Sequence, residues 1–121
     1  MAISVTNQAN PLGSRLVQDT DADEVAADNT TGATGTLYFV EVDNSANAGA
    51  VYFKLADTTN ATAGTTAANL VFQVDGSSTK QFIMPRGVSF GTGFSHWCVT
   101  AAAEASVAAP GAAVIVRYIT S

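Results

Sequence analysis

The residues of this chain that could carry chemistry are few and widely spread. His96 is the sole histidine and Cys98 the sole cysteine. They lie two apart in FSHWCVT, a strand-like run, so both side chains leave the same face of the strand. Such a pair could seed a metal site or a Cys–His nucleophile. Same-face neighbours on a strand stand roughly 6–7 Å apart, and no third or fourth ligand accompanies them in sequence. Packing is therefore the expected role of both. A lone cysteine also leaves no internal disulfide.

Asp19, Asp21, Asp23 and Glu24 alternate as the opening of a calcium loop does. Counted from Asp19, Glu24 stands where that loop needs glycine, and Thr30 where it needs a bidentate glutamate. A solvated acidic loop over 19–24 is expected, with an ion at a subunit contact as the alternative. Gly87, Gly91 and Gly93 resemble a phosphate loop only in spacing, because a strand-like run follows where a helix N-terminus is required. Glu41, Asp43 and Asp57 form no carboxylate pair that spacing can defend. Asn29-Thr30-Thr31 and Asn60-Ala61-Thr62 match the glycosylation pattern. The segment MAISVTNQANP has neither a basic stretch nor an apolar core, so no secretory leader is expected there. The expectation is a protein without catalytic residues, metal or cofactor. Among the aromatic residues, Tyr52, pointing outward beside Lys54, is the best candidate for a surface contact.

Composition narrows the function classes further. Charged residues make up 12% of the 121-residue chain, about half the usual share. Thr, Asn, Ser, Gly and Ala take their place, which suits a surface made of short neutral side chains or one covered by neighbours. The five bases, Arg15, Lys54, Lys80, Arg86 and Arg117, are scattered, and the formal net charge is −5. No basic stripe exists for a phosphate backbone, so direct nucleic-acid binding is not expected. Apolar runs fall far short of the roughly 20 residues that cross a bilayer, so no membrane partner is expected.

The elements that must position these residues read as strands. In TLYFVEVDNSANAGAVYFKLAD, over 36–57, two alternating apolar runs flank a polar connector and read as a hairpin. The alternation puts Tyr38, Val40 and Val42 inward. Leu37 and Phe39 are then left on the wet face with Glu41 and Asp43, and a neighbouring loop or a second subunit must cover them. The run over 50–56 puts Val51, Phe53 and Leu55 inward, and Tyr52 and Lys54 outward. Runs over 70–75 and 80–84 read as a second hairpin, closed by Pro85-Arg86-Gly87, with a short piece over 88–90. Short strands are expected over 3–6 and 15–18, a turn over 7–13, and a brief pairing over 25–27. FSHWCVT is apolar enough to be covered on both faces. TTNATAGTTAAN, over 58–69, is an external loop, and AAAEASVAA, over 101–109, is a loop despite its helix propensity. AAVIVRYI, over 112–119, has Ile115 and Ile119 on its second face and reads as a strand that lies centrally in a sheet or against a partner. The fold expected is an all-β, antiparallel two-sheet sandwich of jelly-roll or related Greek-key topology, with a closed barrel as the alternative. Residues 1–25 are read as an N-terminal arm or edge segment and 26–121 as the sandwich domain.

These residues resemble a known family. The resemblance rests on the strand ending in Asp43-Asn44-Ser45-Ala46-Asn47 and on Val51-Tyr52-Phe53-Lys54-Leu55. A strand at Leu70 follows, then Phe82-Ile83-Met84-Pro85-Arg86-Gly87-Val88-Ser89-Phe90 and a closing strand from Val114. The stretch from 36 to 119 resembles small virion proteins of tailed bacteriophages, most of all capsid decoration (cement) proteins. The resemblance implies a structural β-sandwich on the outer surface of the capsid, a homotrimer in contact with copies of itself and with the major capsid protein. The interface candidates are then Leu37, Phe39, Ile115, Ile119 and Tyr52. The alternative is a carbohydrate- or receptor-binding module of a tail or fibre.

Overall fold

Alternation of apolar and polar residues produces eight strands among the residues that the computed structural model describes, 2–7 and 13–121. They are β1 (Ile3–Asn7), β2 (Arg15–Ala22), β3 (Gly35–Asn44), β4 (Val51–Asp57), β5 (Leu70–Val74), β6 (Ser78–Phe90), β7 (Phe94–Val99) and β8 (Val114–Thr120). No helix occurs among these residues. One antiparallel sheet has the order β1-β2-β8-β3-β6 and the other the order β5-β4-β7. Their inner faces share one core, which joins Val17, Val40, Val42 and Val116 of the first sheet to Phe53, Leu55, Phe94 and Cys98 of the second. The fold is thus the expected all-β sandwich. The turn expected over 7–13 lies, apart from its ends, outside the described residues.

Neither expected hairpin forms. β3 pairs with β6 and β8, whereas β4 pairs with β5 and β7. The 36–57 stretch is therefore an arch that carries the chain from one sheet to the other. The same holds for β5 and β6, which belong to different sheets. Alternation says which side chains point to the core, and both a hairpin and an arch satisfy it. The connectors decide. Asn44, fully buried, donates through Nδ2 to the carbonyls of Gly49 (3.0 Å), Val74 (3.3 Å) and Asp75 (3.1 Å). It thus ties the β3–β4 connector to the β5–β6 turn. Gly76 belongs to the same knot, since a Cβ there would lie 1.9 Å from the Ala48 carbonyl oxygen.

A bulge corrects the expected phase of β3. Leu37 pairs with Thr120 and Phe39 with the adjacent Ile119, so β3 spends two residues where β8 spends one. Tyr38 is the extra residue, and it is half-buried instead of central to the core. Leu37 therefore shares the core face with Val40 and Val42 and is 0% exposed. A single inserted residue reverses the facing of everything beyond it, so alternation read straight through the run assigned Leu37 to the wrong side. The partner strand also yields here. β6 runs on through Pro85 because it is an edge strand, where a missing N–H costs no ladder bond, and Gly87 takes φ +73.

Residues 1–25, read as an arm or edge segment, contribute β1 and β2 to the five-stranded sheet. β2 lies between β1 and β8, with Val17, Asp19 and Ala22 buried, and β1 is at the edge of that sheet. The 25–27 pairing occurs as one bridge, Ala27 to His96 in β7, with N–H···O distances of 2.8 and 3.0 Å. β7 is buried at all six positions, and β8 is an interior strand. The loops 58–69 and 101–109 form no helix. Ala61 joins Ala56, Trp97 and Val99 in a second apolar cluster outside the main core. Lys54 points out of its sheet as expected, yet it is 1% exposed, with Nζ donating to the Ala103 carbonyl at 2.8 Å. Burial holds its ammonium below the ordinary lysine range.

Candidate docking face and buried polar network

The outer face of the five-stranded sheet carries an apolar row. Strand register sets Thr6, Leu16, Ile119, Phe39 and Ile83 side by side across β1, β2, β8, β3 and β6. Leu16, Phe39 and Ile119 are half-buried, and Ile83 is 60% exposed. The next row is polar and satisfied within itself. Glu41 accepts from Arg117 Nη1 at 2.8 Å through one oxygen and from Gln81 Nε2 at 2.8 Å through the other. Ile115, half-buried, stands across from Asp43 one step further along the face. Three of the five interface candidates, Phe39, Ile115 and Ile119, thus share one surface. Leu37 does not, because the bulge turns it into the core. Tyr52 lies on the opposite, three-stranded sheet. Ile83 and Leu16 were not singled out by the sequence, because only the pairing of β6 and β2 shows that they continue the row.

The two residues with the most chemical potential are inside the sandwich. His96 of β7 reaches across the core to the other sheet. Its Nε2 lies 2.8 Å from Asp19 Oδ2 of β2, and its Nδ1 lies 2.9 Å from the Tyr118 hydroxyl of β8. Tyr118 in turn meets Thr30 Oγ1 at 2.7 Å. Asp19, His96 and Tyr118 are each at most 1% exposed. With Nε2–H donated to the carboxylate, a neutral ring accepts from Tyr118, which accepts from Thr30. A protonated ring reverses each hydroxyl, and Thr30 then donates to the Phe94 carbonyl, 3.3 Å away. Either arrangement leaves both ring nitrogens of His96 and the hydroxyls of Tyr118 and Thr30 with partners. Burial, and secondarily the Asp19 carboxylate, push the Tyr118 phenol well above its ordinary value, although the Thr30 bond works the other way. It stays protonated.

This network joins the two sheets from inside the core. Burial, aided by the carboxylates of Asp19 and Asp23, pushes the Cys98 thiol up to about 12, so it is not a thiolate nucleophile near neutral pH. The acidic run is not one solvated loop. Asp19 to Ala22 complete β2, Asp19 is buried, and Asp23 Oδ1 accepts from the Val25 N–H at 2.9 Å. Among the described residues, no three of His, Cys, Asp and Glu converge as metal ligands would. No helix among them is long and apolar enough to cross a membrane.

Asp57 has a local structural task. Its carboxylate accepts from the N–H groups of Gly91 (3.0 Å), Thr92 (2.7 Å) and Gly93 (3.2 Å) and so holds the β6–β7 turn. Partial burial works to raise its pKa, but the three donors outweigh it and hold the carboxyl below the ordinary 3.8. A depressed folded-state pKa stabilises above the unfolded value, and that contribution is lost as pH falls through the folded pKa. Asp57→Ala is therefore less stable than wild type at neutral pH, and the gap closes progressively below about pH 4. Urea midpoints of both proteins at neutral and acid pH measure this. A gap that stays constant on acidification contradicts the assignment.

No family model, curated protein or solved structure matches the chain.

Proposed function

We propose that this chain is a structural assembly protein that decorates a viral capsid and stabilises it through subunit contacts on the outer surface. The observation that carries this reading is the row Leu16, Ile119, Phe39 and Ile83 on the outer face of the five-stranded sheet. Rows of large apolar side chains left partly bare mark contact surfaces, and this one lies on a rigid sheet. The resemblance of residues 36–119 to small virion proteins of tailed bacteriophages supplies the partner: the major capsid protein together with further copies of this chain, as a trimer. Sparse surface charge fits such a role, in which many modest contacts repeat over a symmetric shell.

Jelly-roll wrapping belongs to this reading. What supports it is the strand orders β2-β8-β3-β6 and β5-β4-β7, with the Ala27 bridge beside β7, set against the two four-stranded sheets of an eight-strand jelly roll. In that comparison one strand is reduced to the bridge, and β1 is added at an edge.

The test uses particles assembled with wild-type or Ile83→Glu protein. Because Ile83 is exposed, the variant keeps its folding stability within about 0.5 kcal/mol, and it is lost from purified particles. Retention of the variant at native stoichiometry, or absence of the wild-type protein from particles, overturns the proposal.

A further inference from the structure

Between the β3–β4 and β7–β8 connectors, a groove of about 480 Å³ is lined by residues 47–52, Thr100, Pro110 and Gly111. This lies within the span of roughly 300–1,000 Å³ occupied by small-molecule sites. Its walls are the β3–β4 and β7–β8 connectors. Asn47 clamps them together: Oδ1 accepts from the Ala112 N–H at 2.7 Å, and Nδ2 donates to the Ala112 carbonyl at 3.1 Å. Asn47 Nδ2 also donates to Asn44 Oδ1 at 2.9 Å, which anchors the clamp to a fully buried residue. The groove is therefore set before any ligand arrives, and less ordering cost falls on binding.

The lining has a definite chemistry. It holds one aromatic ring, Tyr52, which is half-exposed, and one prolyl ring, Pro110. The Tyr52 and Thr100 hydroxyls have no hydrogen-bond partner among the described residues. No charged side chain lines the groove. An anionic or cationic ligand would leave water without a counter-charge. A neutral polyol instead finds a ring face for its C–H surface and two free hydroxyls for its own.

We propose that this groove binds a neutral saccharide, with Tyr52 as the stacking platform and Thr100 as a hydroxyl partner. The groove shares no residue with the proposed shell-docking row. The site does not depend on the docking reading.

Saturation-transfer NMR on the full chain tests it, using methyl glucoside, methyl galactoside and neutral oligosaccharides of glucose, galactose and N-acetylglucosamine. At least one neutral sugar is expected to transfer saturation from the Tyr52 ring. Tyr52→Ala should weaken it about tenfold or more, equal to the loss of one good contact. Tyr52→Phe keeps the platform and should lose only a few-fold, and Thr100→Val similarly, with thermal melts showing that all variants fold. Three results overturn the proposal: no binding across the neutral panel, equal binding by Tyr52→Ala, or preference for a proline-rich peptide or an acidic sugar run alongside.

Discussion

Asp19→Ala is expected to destabilise the fold by about 1–3 kcal/mol, the cost of leaving a buried donor without its acceptor. Asp19 is 0% exposed and His96 is 1% exposed, with 2.8 Å between their bonded atoms. Removing the carboxylate leaves Nε2–H without its acceptor in the core and removes the bond that Asp19 Oδ1 accepts from the Asp21 N–H at 3.0 Å. Water cannot repair the site cheaply, because Phe53 packs on the ring at 5.3 Å between centroids. Asp19→Asn keeps an acceptor of nearly the same shape and should lose less. His96→Phe removes the orphaned donor, so adding it to Asp19→Ala should cost less than the sum of the two changes, by about 1–3 kcal/mol. Urea denaturation of the four proteins measures this. Strict additivity would show that the pair is not coupled.

Asn44→Ala is the second large effect, and it is expected to cost about 3 kcal/mol, from the desolvated groups it leaves unpaired. One amide serves three carbonyls from two connectors, and its oxygen accepts from Asn47. Asn44→Asp has almost the same shape but turns a carboxylate toward those carbonyls, so it should be at least as damaging as alanine. A stability loss from Asn44→Ala below about 1 kcal/mol would mean that the arch holds without its tie. Because Asn47 joins Asn44 to Ala112, both variants should also loosen the Tyr52 groove, which sugar titration of the surviving folded protein would reveal.

The strands themselves were legible in the chain. Alternation in VYFKLAD and the near-continuous apolar run VIVRYI are local patterns, and burial selects them directly. β4 and β8 accordingly lie where the sequence put them, with Val51, Phe53, Leu55, Val114, Val116 and Tyr118 inward. The loop character of AAAEASVAA was also readable, since no apolar stripe existed to hold a helix down. His96 was correctly read as a packing residue, although its partners were not seen. A signal existed: Asp19 shares the phase of Val17 in RLVQDTDA, and a carboxylate on an inward face needs a partner. Nothing local could say that the partner lay 77 residues away.

Pairing was what only the tertiary structure decided. A strand's own sequence fixes its faces but not its neighbours, so the stretch over 36–57 fitted an arch as well as a hairpin. Leu37 shows the sharpest consequence. Its side of β3 depends on Tyr38 being extra relative to Ile119 and Thr120, a fact about two strands together. The docking row has the same origin, for it assembles Leu16, Ile119, Phe39 and Ile83 from four strands. The groove does too, because it needs the two connectors that Asn47 joins. Composition and period determined a β-sandwich with few charges. Register, bulge and cross-sheet hydrogen bonds determined which of its surfaces are available to bind, because these arise between segments and leave no trace within any one of them.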